Sequence, residues 1–137
     1  MAILSAQINK AKMKKIVLSK DAPAPIGPYS QAVIHGDTLY VSGQIAIDQS
    51  TGNMITDNIE DETNQVMKNI GLILKEAGAD YNQIIKCSIF VSDMGNFGRI
   101  NEVYGKYFDQ NPPARETVEV SCLPKNVNVE ISCIAYL

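Results

Sequence analysis

The chain has 137 residues, with 12 basic and 15 acidic side chains, a net charge of −3 and 45% hydrophobic residues. That length and composition suit one globular domain and argue against disorder, and no apolar run approaches the roughly 18 residues of a membrane-spanning helix. One histidine (His35), three cysteines (Cys87, Cys122, Cys133) and two arginines (Arg99, Arg115) exclude a three-histidine zinc site within one chain. They also leave no Cys-x-x-Cys pair and restrict forked recognition of an anion to two residues. An odd number of cysteines without a secretory segment reads as free thiols in a reducing cytosol. Cys87 and Cys122 are expected as small buried hydrophobes and His35 as an exposed strand end.

The charge is unevenly spread. The first 15 residues carry four lysines and no acid, whereas residues 16–137 carry 8 basic and 15 acidic side chains, a net of −7. The segment 1–14 is expected to be a flexible basic extension, with Met13 an alternative start, ahead of a domain over 15–137. The acidity of that domain argues against a surface that tracks nucleic-acid phosphates.

Lys15 to Ser19 reads as a short strand and the proline-rich stretch Asp21 to Pro28 as a loop, because proline cannot donate to a sheet ladder. Gln31–His35 and Thr38–Gly43 flank Gly36-Asp37 as a hairpin, and Asp48–Asn53 is a second turn. Ile59, Thr63, Val66, Met67, Ile70, Ile73, Leu74 and Ala77 recur at helical spacing, so a helix is predicted over Asn58–Ala77. Asp57, with Glu60 three residues on, is its expected cap and Gly78 its left-handed stop. Ile84–Val91 is a buried strand. Asp93 is expected to cap a second helix with Phe97, Ile100, Val103, Tyr104, Tyr107 and Phe108 on its apolar side, ended by Asn111-Pro112-Pro113. Glu116–Ser121 and Val127–Ala135 are the last strands. The order β-β-β-α-β-α-β-β defines an α+β domain, a mixed sheet of about six strands with two helices on one face.

Along the last strand Val127, Val129, Ile131, Cys133 and Ala135 share one face, and Asn128, Glu130, Ser132, Ile134 and Tyr136 the other. Glu130 is thus a mid-strand carboxylate opposite a core-like row. Arg115 leaves Pro112-Pro113-Ala114 at a strand start, where its planar fork can bind a carboxylate in a way lysine cannot. Arg115 and Glu130 are expected on adjacent strands. Glu116 should point away from the Arg115 face, as an ion-pair or interface residue.

Five segments, IGPYSQA (Ile26–Ala32), SGQI (Ser42–Ile45), Asn101, PAR (Pro113–Arg115) and LPK with VEI (Leu123–Lys125, Val129–Ile131), resemble in order and spacing the Rid family. These are the YjgF-like reactive-intermediate deaminases, also called the L-PSP or translation-inhibitor family. The resemblance implies a chorismate-mutase-like fold, a cytoplasmic homotrimer with clefts between subunits, and cofactor-free, metal-free hydrolysis of 2-imino acids, such as 2-iminobutanoate and 2-iminopropanoate, to 2-keto acids and ammonia. By motif position it implies Arg115 as the carboxylate ligand, Glu130 as the residue placing the hydrolytic water, and Tyr29, Gly43, Asn101 and Thr117 as the cleft lining. Thr117 stands where many deaminase members carry cysteine. Two other activities stand beside this one: ribonuclease action with translation inhibition, and a trimer that senses keto acids without turnover.

Overall fold

A computed structural model describes residues 13–137 together with Ile3. The expected flexible extension 1–14 therefore lies almost wholly outside the described residues. The strands are β1 (Lys15–Val17), β2 (Ala32–His35), β3 (Thr38–Gln44), β4 (Ile47–Asp48), β5 (Asn53–Met54), β6 (Ile84–Val91), β7 (Ala114–Glu119) and β8 (Val129–Tyr136). The helices are α1 (Ile59–Glu76) and α2 (Phe97–Gly105). Six strands form one sheet in the order β1-β2-β3-β8-β6-β7, and β4 and β5 form a small separate ribbon. Every pairing in the large sheet is antiparallel except β6 with β7, the pair that α2 connects. This is the expected α+β arrangement. No helix among the described residues is long and apolar enough to cross a membrane.

The core lies between one sheet face and the helices. Val66, Met67, Ile70, Ile73 and Leu74 of α1 are fully buried against Leu39, Ile89, Val129 and Ile131 of the sheet. The alternation read along β8 holds: Val129, Ile131, Cys133 and Ala135 are buried, and Glu130, Ser132, Ile134 and Tyr136 face the other way. Among the described residues no helix covers that second face, and Tyr40, Val118 and Tyr136 are exposed on it.

Several local expectations are corrected. The α1 cap is Asn58, whose side chain accepts from the Asp61 N–H at 2.8 Å, and not Asp57. Both residue types cap well, and the extended backbone falls on Asn58. Gly78 does adopt a left-handed φ of 81°. Asp93 caps a 3₁₀ turn that leads into α2, and α2 ends at Gly105, well before Pro112. Tyr107 and Phe108 still pack on the core from the following turn, so their apolar character was read correctly and their helicity was not. Cys122 is exposed, whereas Cys87 and Cys133 are buried, and all three are free thiols. His35 is exposed at the end of β2.

Glu62, fully buried on the apolar stripe of α1, fixes the entry of β8. Its carboxylate accepts from the Asn128 N–H (2.7 Å), the Asn128 side-chain amide (2.8 Å) and the Val129 N–H (3.3 Å). A buried carboxylate is tolerated only when such donors replace its water. Replacing Glu62 by Leu strands two backbone N–H groups and is expected to cost about 2–4 kcal/mol of stability. Glu62→Gln keeps an acceptor and is expected to cost less than half of that, both read from urea denaturation.

Candidate functional site

The expected site residues fall into two clusters. Tyr29, Gly43 and Glu130 line one cleft of about 340 Å³, together with Pro23, Ala24, Ile26, Gln31, Ile45, Ile47 and Pro124. Arg115, Asn101 and Thr117 form the other, between β7 and α2.

The cleft is built by buried polar pins. The Gln31 side chain accepts from the Ser19 N–H at 2.7 Å and donates to the carbonyls of Ser19, Ala22 and Pro23, which ties down the proline-rich loop. Tyr29 closes that loop on itself, its hydroxyl accepting from the Ile26 N–H at 3.2 Å. On the far wall the buried Asn69 of α1 donates to the carbonyls of Ile45 and Ile47 at 3.1 and 2.9 Å.

Between the β3–β8 pairs Val41↔Cys133 and Gln44↔Ile131, two residues on β3, Ser42 and Gly43, oppose Ser132 alone. Such a bulge bends the strand and re-aims what it carries. The Ser42 hydroxyl donates to the Ser30 carbonyl at 2.6 Å, joining bulge to loop. Gly43 lies against the Glu130 carboxylate: a Cβ there would collide with it, standing 2.9 Å from its carboxyl carbon. The glycine is required for this close approach and not for an unusual backbone conformation. Glu130 is half-buried, takes part in no ion pair among the described residues, and its carboxyl is pushed above its ordinary value by burial.

In the second cluster an Arg115 terminal N–H donates to the Asn101 side-chain oxygen at 2.5 Å. The guanidinium carbon lies 5.5 Å from the Phe97 ring centroid and 5.2 Å from that of Tyr104. Among the described residues, the buried Thr117 hydroxyl, two residues along β7 from Arg115, lacks a hydrogen-bond partner, and the buried Tyr104 hydroxyl has the Cys87 thiol as its neighbour. The other arginine is spent: Arg99 grips Glu60 through a fork of two bonds, 2.6 and 2.7 Å. Glu116 faces away from Arg115, as expected, and pairs with Lys86 at 2.5 Å and with the Ser88 hydroxyl at 2.7 Å.

The structure corrects one expectation that bears on the whole site. Arg115 and Glu130 are not on adjacent strands, because β6 lies between β7 and β8. Arg115 is in register with the buried Cys87, hence on the helix-covered face, and Glu130 with Phe90, hence on the open face. Within one chain the two groups therefore point to opposite sides of the sheet, separated by two strand spacings, roughly 9–10 Å.

Residues 19–137 match the family model described as Endoribonuclease L-PSP, and the chain belongs to that family, the Rid or YjgF-like proteins. Among its relatives, a mouse protein named 2-iminobutanoate/2-iminopropanoate deaminase is 43% identical over 90% of this chain and 91% of its own. A protein of Arabidopsis thaliana named Reactive Intermediate Deaminase A, chloroplastic, is 43% identical over 99% of this chain and 72% of its own. The crystal structure of TdcF from E. coli with bound serine superposes with a TM-score of 0.86 at 37% identity, covering 90% of this chain and 98% of that one.

Two of the residues that build the site had no role read from sequence. Glu62 and Asn69 stand seven apart on a helical stripe that is otherwise apolar except for Thr63, and that placement of polar groups is the signal that could have found them. Phe97 and Tyr104 read as core positions, a pattern that cannot separate a residue under an arginine from one under a leucine.

Because burial disfavours the charged form of Glu130, its proton is bound more tightly in the folded chain than in the unfolded one. The stability linked to that proton is present at acid pH and is lost as pH rises through the raised folded value. Glu130→Gln is therefore expected to unfold a few degrees above the parent at pH 7 and together with it near pH 3, as measured by thermal melts at both pH values.

Proposed function

We propose that the protein is a cofactor-free hydrolase that converts 2-imino acids, with 2-iminobutanoate and 2-iminopropanoate as substrates, to 2-keto acids and ammonia. The cleft lies between copies of the chain in a cytoplasmic homotrimer. One observation carries this reading: among the described residues, a guanidinium fork that no carboxylate occupies and a half-buried carboxylate that no cation pairs, facing opposite sides of one sheet. A second copy that packs against the helix-free face brings the Arg115 edge of one chain to the Glu130 cleft of the next, and covers Tyr40, Val118 and Tyr136. The deaminase names of relatives at 43% identity point to the same chemistry.

The chemistry asks little of the protein. A protonated imine is already an electrophile, so the work is to hold its acid end and place water beside the C=N carbon. Arg115 takes the substrate carboxylate by its fork, with Asn101 fixing one nitrogen and Thr117 and Tyr29 bordering the ligand. Glu130 accepts a proton from water as the oxygen adds to the imine carbon, forming a carbinolamine. The same carboxyl returns that proton to the amino nitrogen. The C–N bond then breaks, ammonia leaves, the carbonyl forms, and the hydroxyl proton completes ammonium. A carboxyl with a raised pKa suits both halves of this exchange at near-neutral pH.

Ribonuclease action fits the surface less well, since residues 16–137 are net −7 and phosphate tracking needs the opposite charge.

The test is a coupled assay in which a pyridoxal-phosphate dehydratase generates the imine and keto-acid release is followed. Arg115→Ala is expected to abolish acceleration, about 10²-fold or more in kcat/KM, and Glu130→Gln to lower kcat by about 10²–10⁴. The wild-type rate should fall as pH drops through the raised Glu130 value. Unchanged rates in Arg115→Ala, or RNA cleavage by a chain that leaves imines untouched, would overturn the reading.

A further inference from the structure

Phe97, Asn101 and Tyr104 recur at i, i+4 and i+7 along α2, so they form one stripe, and all three meet Arg115. Asn101 meets it through a hydrogen bond. The two rings meet it through their π systems, at 5.5 and 5.2 Å from centroid to guanidinium carbon, within the range of a cation–π contact. The difference matters for a ligand. A carboxylate partner consumes N–H donors, as Glu60 does with Arg99, whereas a ring beneath the guanidinium plane consumes none.

We propose that Phe97 and Tyr104 are positioning residues, an aromatic seat that holds the Arg115 guanidinium while leaving its in-plane N–H groups free for the substrate carboxylate. The assignment of that ligand rests on the hydrolase reading above; the seat itself rests on geometry alone. Tyr104 is suited to act through its ring: no hydrogen bond joins its buried hydroxyl to Arg115, and the neighbour that engages that hydroxyl is the Cys87 thiol. Burial first, and the neighbouring Cys87 second, raise its pKa far from neutrality, so the residue meets Arg115 as a neutral ring and not as a phenolate. Phe97 is 38% exposed, large and apolar at the open end of the stripe, a position that core packing does not require.

The experiment uses the full chain and three variants, Phe97→Leu, Tyr104→Phe and Tyr104→Leu, in the coupled imine assay and by NMR of the Arg115 side chain. Removing one ring loosens a contact made equally to bound substrate and to transition state. KM is therefore expected to rise roughly tenfold in Phe97→Leu, with kcat within about twofold of the parent. Tyr104→Phe keeps the ring and should match the parent within about twofold, while Tyr104→Leu should follow Phe97→Leu. In the parent, the Arg115 δ-methylene protons should resonate upfield of ordinary arginine because of the ring currents, and return toward the ordinary position in Phe97→Leu. A parental KM in Phe97→Leu, a Tyr104→Phe variant as impaired as Tyr104→Leu, or Arg115 signals unmoved by loss of the Phe97 ring would each overturn the seat. Should the parent hydrolyse no imine, the hydrolase reading fails, and the Arg115 signals still decide the seat. Should Tyr104→Leu not fold, Phe97→Leu carries the decision, because its position is partly exposed.

Discussion

Strand β6 separates Arg115 from Glu130, and the arrangement of the candidate site follows from that placement. It pairs in parallel with β7 and antiparallel with β8, and a parallel neighbour requires a crossover, which α2 supplies. The crossover lies over the helix-covered face, so a β7 residue in register with a buried β6 residue meets α2. Arg115 is that residue, and Asn101, Phe97 and Tyr104 are what it meets. Glu130 belongs to the alternate row of β8 and looks out from the bare face. A short chain thus presents a guanidinium fork on one side and a half-buried carboxylate on the other, an arrangement that, on the proposed reading, copies of the chain complete for one another.

The Glu130 half is held by buried polar groups that are satisfied by backbone. Gln31 gathers four main-chain groups of the proline-rich loop, Asn69 gathers the segment around Ile45 and Ile47, and Glu62 gathers the start of β8. Prolines remove donors from that loop, and chain without a ladder must find its partners elsewhere. Side chains such as these fix a cleft wall more narrowly than apolar packing can, because an amide or carboxylate accepts few geometries. The bulge at Ser42-Gly43 adds the last element, a backbone so close to Glu130 that a side chain at Gly43 would displace the carboxylate.

Much of this was legible in the sequence, and the limits have physical causes. Periodicity located α1, β6 and the two faces of β8, because burial of one face imposes its own period. It extended α2 too far, because Tyr107 and Phe108 stay apolar while packing from a turn, and burial does not require helicity. It chose Asp57 over Asn58, where either side chain can cap and only the backbone angle decides. Cys122 was misplaced because a small residue near a chain reversal carries little hydrophobic signal. The pairing of β7 with β6 rather than β8 is a non-local fact that spacing along the chain does not encode, and the opposite facing of Arg115 and Glu130 went unseen with it. The arginines could be counted but not ranked by bonding: Arg99 is committed to Glu60, 39 positions away, and only the fold reveals it.

The central claim is that one chain lends Arg115 and another lends Glu130 to a single site. It is tested most directly by mixing Arg115→Ala and Glu130→Gln chains, each inactive alone, dissociating and reassembling them, and assaying imine hydrolysis. Random reassembly puts an intact Arg115 opposite an intact Glu130 in about a quarter of the clefts of a cyclic oligomer, so the mixture should regain about a quarter of the parental rate. A reassembled mixture as inactive as its two components would contradict the account.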